Sequence, residues 1–193
     1  MGKEFELKYR ATPEQLAAIR ADFGPFREIS METTYYDAPD HSLSSRKWTL
    51  RRRLENGVSV CTLKTPGMGD VRGEWETECG SILKAIPELC KLGAPPELAE
   101  LVKNGVTEVC GARFTRLACL VGDSICKVEL ALDQGVLLGG GRELPLCEAE
   151  AELKEGSETA AVAFAKVLAD KYALVPESAS KFKRALQLAQ NQK

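Results

Sequence analysis

The chain contains no run of about 18 apolar residues, the length a membrane-spanning helix needs. Met1–Arg10 carries too many charges for a secretory signal, so a soluble cytoplasmic protein with no membrane partner is expected. The formal net charge is only -2, which argues against nonspecific nucleic-acid binding. No nucleic-acid duplex is therefore expected as a partner, and any positive field must be local. Histidine is nearly absent: His41 is the single one, and its setting in Pro39-Asp40-His41-Ser42 reads as a turn rather than a catalytic position. The seven cysteines (Cys61, Cys79, Cys90, Cys110, Cys119, Cys126 and Cys147) show no CxxC spacing. Several fall on apolar strand faces, so they read as reduced structural thiols rather than zinc ligands. No low-complexity segment or linker divides the chain, and residues 1–193 fit one domain.

What is present is alternation. Glu4, Glu6 and Lys8 interleave with Phe5, Leu7 and Tyr9, so a strand there carries charge on one face and apolar groups on the other. Similar segments predict eight strands: 3–10, 26–36, 48–55, 58–65, 71–79, 106–120, 124–133 and 144–154. Asn56-Gly57 signals a tight hairpin between the third and fourth, and Gly122-Asp123 splits the sixth from the seventh. Thr12-Pro13 opens a helix running to Asp22. A helical stretch over 81–104, broken near Pro95-Pro96, separates two strand groups, and helices over 157–172 and 178–190 follow. The expected architecture is α+β: an eight-stranded antiparallel barrel or tunnel with a charged lumen and helices packed on the outside.

The charged faces are unusually dense. Glu74 and Glu76 share one face of the fifth strand, Glu129 and Asp133 one face of the seventh, and Glu148, Glu150 and Glu152 one face of the eighth. Arg51 and Arg53 share a face of the third strand, and Lys64 ends the fourth. Like charges side by side repel unless a counter-charge lies between them. A divalent cation serves the carboxylates and a phosphate serves the arginines. Hard oxygen donors suit Mg²⁺ or Mn²⁺, and the planar guanidinium fork suits phosphate oxygens.

These residues resemble the CYTH superfamily, the triphosphate tunnel metalloenzymes. The resemblance begins at Glu4-x-Glu6-x-Lys8 and continues through Tyr35-Tyr36-Asp37, Leu50-Arg51-Arg52-Arg53, Thr62-Leu63-Lys64 and Arg72-Gly73-Glu74-Trp75-Glu76. It extends through Glu129 to Asp133, Glu148 to Leu153, and Ser180-Lys181. It implies metal ligation by Glu4, Glu6, Glu150 and Glu152, with Glu148 extending the acidic row. It implies a triphosphate clamp of Lys8, Arg51, Arg53, Lys64, Arg116 and Lys181. Arg113 competes with Arg116 for one clamp position, with Arg116 preferred after Phe114-Thr115, and Arg184 joins Lys181 at the tunnel mouth. Glu74 or Glu76, Glu129 and Asp133 are read as further lumen carboxylates that complete metal ligation or orient water.

The superfamily includes inorganic triphosphatases, thiamine triphosphatases, class IV adenylate cyclases and RNA triphosphatases. The expected reaction is metal-dependent hydrolysis of inorganic triphosphate, by a monomer or homodimer acting on a triphosphate-containing small molecule. A class IV adenylate cyclase needs an adenine pocket, and no segment supplies one clearly. A thiamine triphosphatase would use an aromatic near the arginine strand, but Trp48 has the opposite parity to Arg51. A polyphosphate- or nucleotide-binding module without turnover is the non-enzymatic alternative, disfavoured by the full set of carboxylates.

Overall fold

In a computed structural model of the protein, residues 5–66, 73–122 and 126–190 are described. The elements run β1 (Glu6–Arg10), α1 (Pro13–Asp22), β2 (Arg27–Asp37), α2 (Ser42–Ser45), β3 (Thr49–Glu55), β4 (Val58–Thr65) and β5 (Gly73–Glu78). Then follow α3 (Ile82–Lys91), α4 (Glu97–Leu101), β6 (Thr107–Gly122), β7 (Lys127–Gly139), β8 (Arg142–Glu155), α5 (Glu158–Tyr172), β9 (Val175–Pro176) and α6 (Lys181–Gln190).

Every strand pairing is antiparallel, in the order β5-β4-β3-β2-β6-β7-β8-β1-β9. The β3–β4 hairpin turns at Asn56 and Gly57, both with positive φ, the conformation that an Asn-Gly pair accommodates. Thr12 caps α1 reciprocally with Gln15, and Pro13 occupies the first helical position. The helical stretch after β5 divides into α3 and α4, with the break leading to Pro95-Pro96.

Two strand limits differ from expectation. β7 runs on to Gly139 and β8 starts at Arg142, joined by Gly140-Gly141 with φ +58° and +72°. The extension lacks alternating charge because its inner side meets α6 through Leu137 and Leu146 instead of a charged group. The two-residue β9 adds a strand beside β1.

The expected closure into an eight-stranded barrel is also corrected. Among the described residues the hydrogen-bonded sheet is open, ending at β5 and β9. Pro176 in β9 has no N–H to extend the ladder, so pairing stops at that edge.

The sheet has one apolar and one charged face. On the apolar face Leu16 and Ile19 of α1 and Ala161, Ala165 and Leu168 of α5 pack with Leu130, Leu132, Ala149 and Ala151. Beside them Ile82, Ala85, Ile86 and Leu89 of α3 and Leu98 of α4 cover Leu50, Cys61 and Leu63, with Trp48 and Trp75 at the margin. Each large side chain buried there contributes about 1.5–3 kcal/mol of transfer free energy.

α6 breaks the rule that the helices lie outside. It packs on the charged face, where Ala185 joins Ile29, Met31, Phe114, Leu137 and Leu146, and where its first turn delivers Lys181 and Arg184 to buried carboxylates. Glycine makes the approach possible: a Cβ at Gly139 would lie 2.3 Å from the Ala185 carbonyl oxygen. The physical reason for the inside position is charge, because carboxylates buried without cations would be prohibitively costly.

Candidate active site

Cross-strand register sets the charged residues in rows. Glu6 of β1 faces Glu152 of β8, which faces Glu129 of β7. One step along, Lys8 faces Glu150. A further step along β8, Glu148 faces Asp133, which faces Arg116 of β6. Opposed Cβ atoms in such rows lie about 4.5–5.5 Å apart, so these side chains must interact.

Asp133, Glu148 and Glu150 are buried, the first two completely. Arg116 donates from Nε and Nη2 to the two Asp133 carboxylate oxygens, both at 2.7 Å, and Nη2 also reaches Glu150. Lys181 Nζ lies 2.8 Å from Asp133, 2.6 Å from Glu148 and 2.5 Å from Glu150. Arg184 donates to Glu148 and lies 3.8 Å from Glu177. Three cations thus meet three carboxylates, and the group is formally neutral.

Burial alone would raise the Glu150 carboxyl, but Lys181 and then Arg116 overcome it and hold Glu150 well below the usual carboxylate range. Burial likewise opposes the charge on Lys181, yet Glu150, Asp133 and Glu148 together keep its ammonium well above the usual value. Arg116 follows the same logic through Asp133.

A second group lies on the same face across β3, β4 and β5. Arg51 and Arg53 share the face of Tyr35 and Thr33, their cross-strand partners in β2. Arg51 Nη2 is 3.9 Å and Lys64 Nζ 3.3 Å from Glu74 Oε1. Arg53 donates to Glu55 at 3.1 Å, and the Thr62 hydroxyl donates to Glu76 at 3.2 Å.

The residues selected from sequence are therefore placed as follows. Asp133, Glu148, Glu150, Arg116, Lys181 and Arg184 form the first group; Arg51, Arg53, Lys64, Glu74 and Glu76 form the second. Lys8 Nζ lies 3.7 Å from Glu6 at the edge of the first group. Glu129 and Glu152 sit beside it, both near Lys154. Arg113 does not join: it turns to the opposite side, is largely exposed, and pairs with Glu143 at 3.2 Å. The alternation of β6 explains this, since Phe114 and Arg116 share one parity and Arg113 has the other. Glu4 lies outside the described residues, as does Arg72.

Three residues near the site went unselected. Lys154 extends the β8 alternation one step past Glu152 and approaches its carboxylate at 2.8 Å and that of Glu129 at 3.6 Å. Its signal was continued parity. Glu177 holds Arg10 and Arg184, but no periodicity around it marks the position. Phe182 packs against Tyr35 with the rings tilted by 45° and their centroids 5.0 Å apart. Tyr36 meanwhile enters the outer core, so the two adjacent tyrosines serve opposite faces.

The acidic group also fits a divalent metal. One oxygen each from Asp133, Glu148 and Glu150 lies within 4.8 Å of the others, a hard donor set suited to Mg²⁺ or Mn²⁺. Fully buried Glu148 Oε2 has the Lys181 ammonium 2.6 Å away as its ion-pair partner and accepts no other hydrogen bond. Such an oxygen retains capacity for a cation.

The CYTH domain family matches residues 2–186. An inorganic triphosphatase of Haemophilus influenzae is 31% identical over 199 aligned residues, covering 100% of this chain and 56% of that protein. The chain thus spans about half the length of that relative. Among solved structures, the PH1819 protein of Pyrococcus horikoshii OT3 superposes with a TM-score of 0.66 at 24% identity, over 96% of this chain and 99% of its own. HpAC1 of Hippeastrum, named for adenylyl cyclase and reported to have a dominant triphosphatase activity, gives 0.65 at 18%, over 97% and 96%. At these identities the structural likenesses establish the shared fold alone.

Proposed function

The chain belongs to the CYTH family, and on that premise we propose that it hydrolyses inorganic triphosphate to pyrophosphate and phosphate with Mg²⁺ or Mn²⁺. The observation that carries this reading is the presence, on one face of one sheet, of a buried carboxylate group and a separate guanidinium–ammonium group. A pure anion-binding surface gains nothing from Asp133, Glu148 and Glu150, whereas a metal–triphosphate uses both groups. The charged face, with α6 across one part of it, serves as the wall of a tunnel around the substrate.

Asp133, Glu148 and Glu150, with Glu4, Glu6, Glu129 and Glu152, would hold the metal, which when bound offsets phosphate charge and lowers the pKa of water. Arg51, Arg53 and Lys64 orient the phosphate chain, with Lys8, Arg116, Lys181 and Arg184 meeting it from the acidic side. Arg51 and Arg53 supply planar forks matched to phosphate oxygens, and Lys64 supplies a compact charge. Their preset positions stabilise charge developing on the transferred phosphoryl group without reorganisation. Glu76, exposed and tied to the Thr62 hydroxyl, receives a proton from the attacking water. The cleavage consumes one water and breaks one phosphoanhydride bond, and the released phosphates carry its protons.

The test is phosphate release from inorganic triphosphate, ATP and thiamine triphosphate with Mg²⁺, Mn²⁺ or EDTA, with the ATP reaction checked for cyclic AMP. Metal-dependent release with preference for inorganic triphosphate supports the proposal. Cyclic AMP formation would assign a cyclase instead, and binding without turnover would assign a polyphosphate- or nucleotide-binding module.

A further inference from the structure

Lys181 occupies an unusual place. It opens α6, where the positive end of the helix macrodipole disfavours a cation, and Arg184 follows in the same first turn. Helix electrostatics therefore do not hold the ammonium there; the three carboxylates do. Its Nζ lies 2.5–2.8 Å from all three, at the focus of oxygens that lie within 4.8 Å of one another.

A Mg²⁺ ion draws its oxygens to about 2.0–2.1 Å. An ammonium and a metal cannot both occupy a position that small. Charge gives the same answer. The neutral group of Arg116, Lys181 and Arg184 against Asp133, Glu148 and Glu150 would carry an excess of two positive charges if a divalent ion were simply added, in a buried setting where uncompensated charge is costly. Expelling Lys181 halves that excess. Arg116 is the less suitable group to leave, because its planar fork is locked bidentate on Asp133. Lys181 is a point charge on a flexible stem, held to Glu148 Oε2 by an ion pair at 2.6 Å rather than by a bidentate fork.

We propose that Lys181 and a divalent cation are alternative occupants of one position between Asp133, Glu148 and Glu150, so that metal loading expels the Lys181 ammonium. The metal-free protein is then self-neutralised, and α6 carries the counter-ion that the metal replaces. This rests on the reading of the acidic group as a metal site, and it adds the competitor that sets the apparent metal affinity.

The wild-type protein tests this through lysine reactivity. Acetylation of each lysine by an N-hydroxysuccinimide ester is followed by mass spectrometry in EDTA and in Mn²⁺, with Mn²⁺ binding measured by calorimetry on the same preparation. Lys181 is expected to be protected in EDTA and to react at least about tenfold faster in Mn²⁺, equivalent to about 1.4 kcal/mol. Exposed Lys91 should be unchanged. Bound Mn²⁺ with Lys181 still protected would overturn the competition while leaving the proposed hydrolysis standing. Absence of Mn²⁺ binding would overturn the competition together with the metal site. As a second arm, Lys181→Met is expected to bind Mn²⁺ about tenfold more tightly; unchanged or weaker binding also overturns the proposal.

Discussion

Glu150→Gln isolates the electrostatics of the acidic group. The amide keeps the volume and one carbonyl acceptor but removes one of three negative charges facing Arg116, Lys181 and Arg184. Removing one partner of a buried ion group costs about 3–5 kcal/mol. Lys181 and Arg116 both retain Asp133, which places the loss near about 3 kcal/mol. For a chain of this size each kcal/mol moves the melting temperature by about 2–4 °C, so a fall of roughly 6–12 °C is expected in EDTA at neutral pH.

The pH dependence follows from the direction of the shift. Burial works against the Glu150 carboxylate, but Lys181 and Arg116 outweigh it, and its folded-state pKa is depressed. Its stabilisation is therefore fully present above the unfolded value of about 4.3 and is lost as pH falls through the folded one. The gap between wild type and variant should be full at neutral pH and narrow below about pH 4. Thermal melts by circular dichroism across this range decide the matter. A gap under about 2 °C at neutral pH, or one that does not narrow in acid, would show that Glu150 does not stabilise the fold as a buried carboxylate.

Other expectations bear on the two groups separately. Arg51→Ala should raise KM for inorganic triphosphate at least about tenfold, the loss of one charge-assisted contact of about 1.5–3 kcal/mol; an unchanged KM removes Arg51 from the clamp. Arg113→Ala should alter kcat/KM less than about twofold, equivalent to about 0.4 kcal/mol, because Arg113 points away from the charged face and pairs with Glu143 in solvent. Arg116→Ala should lower both activity and stability, and equal behaviour of the two variants would contradict their opposite placement. Gly139→Ala should press a methyl against the Ala185 carbonyl and destabilise by about 1–3 kcal/mol; a variant as stable as wild type would show that α6 does not pack there.

Much of the fold could be read from alternation, because a strand exposed to two different environments writes both into its sequence. Glu148, Glu150 and Glu152 against Ala149, Ala151 and Leu153 announced both the strand and its two faces. Turn and cap chemistry at Asn56-Gly57 and Thr12-Pro13 set the corresponding hairpin and helix start. The signal failed where the charged face turned apolar. The ends of β7 and β8 meet α6 rather than ions, so Leu137 and Leu146 broke the pattern. The placement of α6 was also hidden: Phe182, Ala185 and Leu188 make an ordinary amphipathic stripe that fits either face of a sheet. Only the cations Lys181 and Arg184, on the side of Ala185, distinguish the inner position. The pair Arg113 and Arg116 could be separated once the register of β6 against β7 was known.

The most direct measurement is ³¹P NMR of inorganic triphosphate incubated with the protein and Mg²⁺, beside the same mixture in EDTA. Triphosphate resonances should give way to equal amounts of pyrophosphate and phosphate only when metal is present. No turnover with either Mg²⁺ or Mn²⁺, or equal turnover in EDTA, would contradict the proposed metal-dependent hydrolysis.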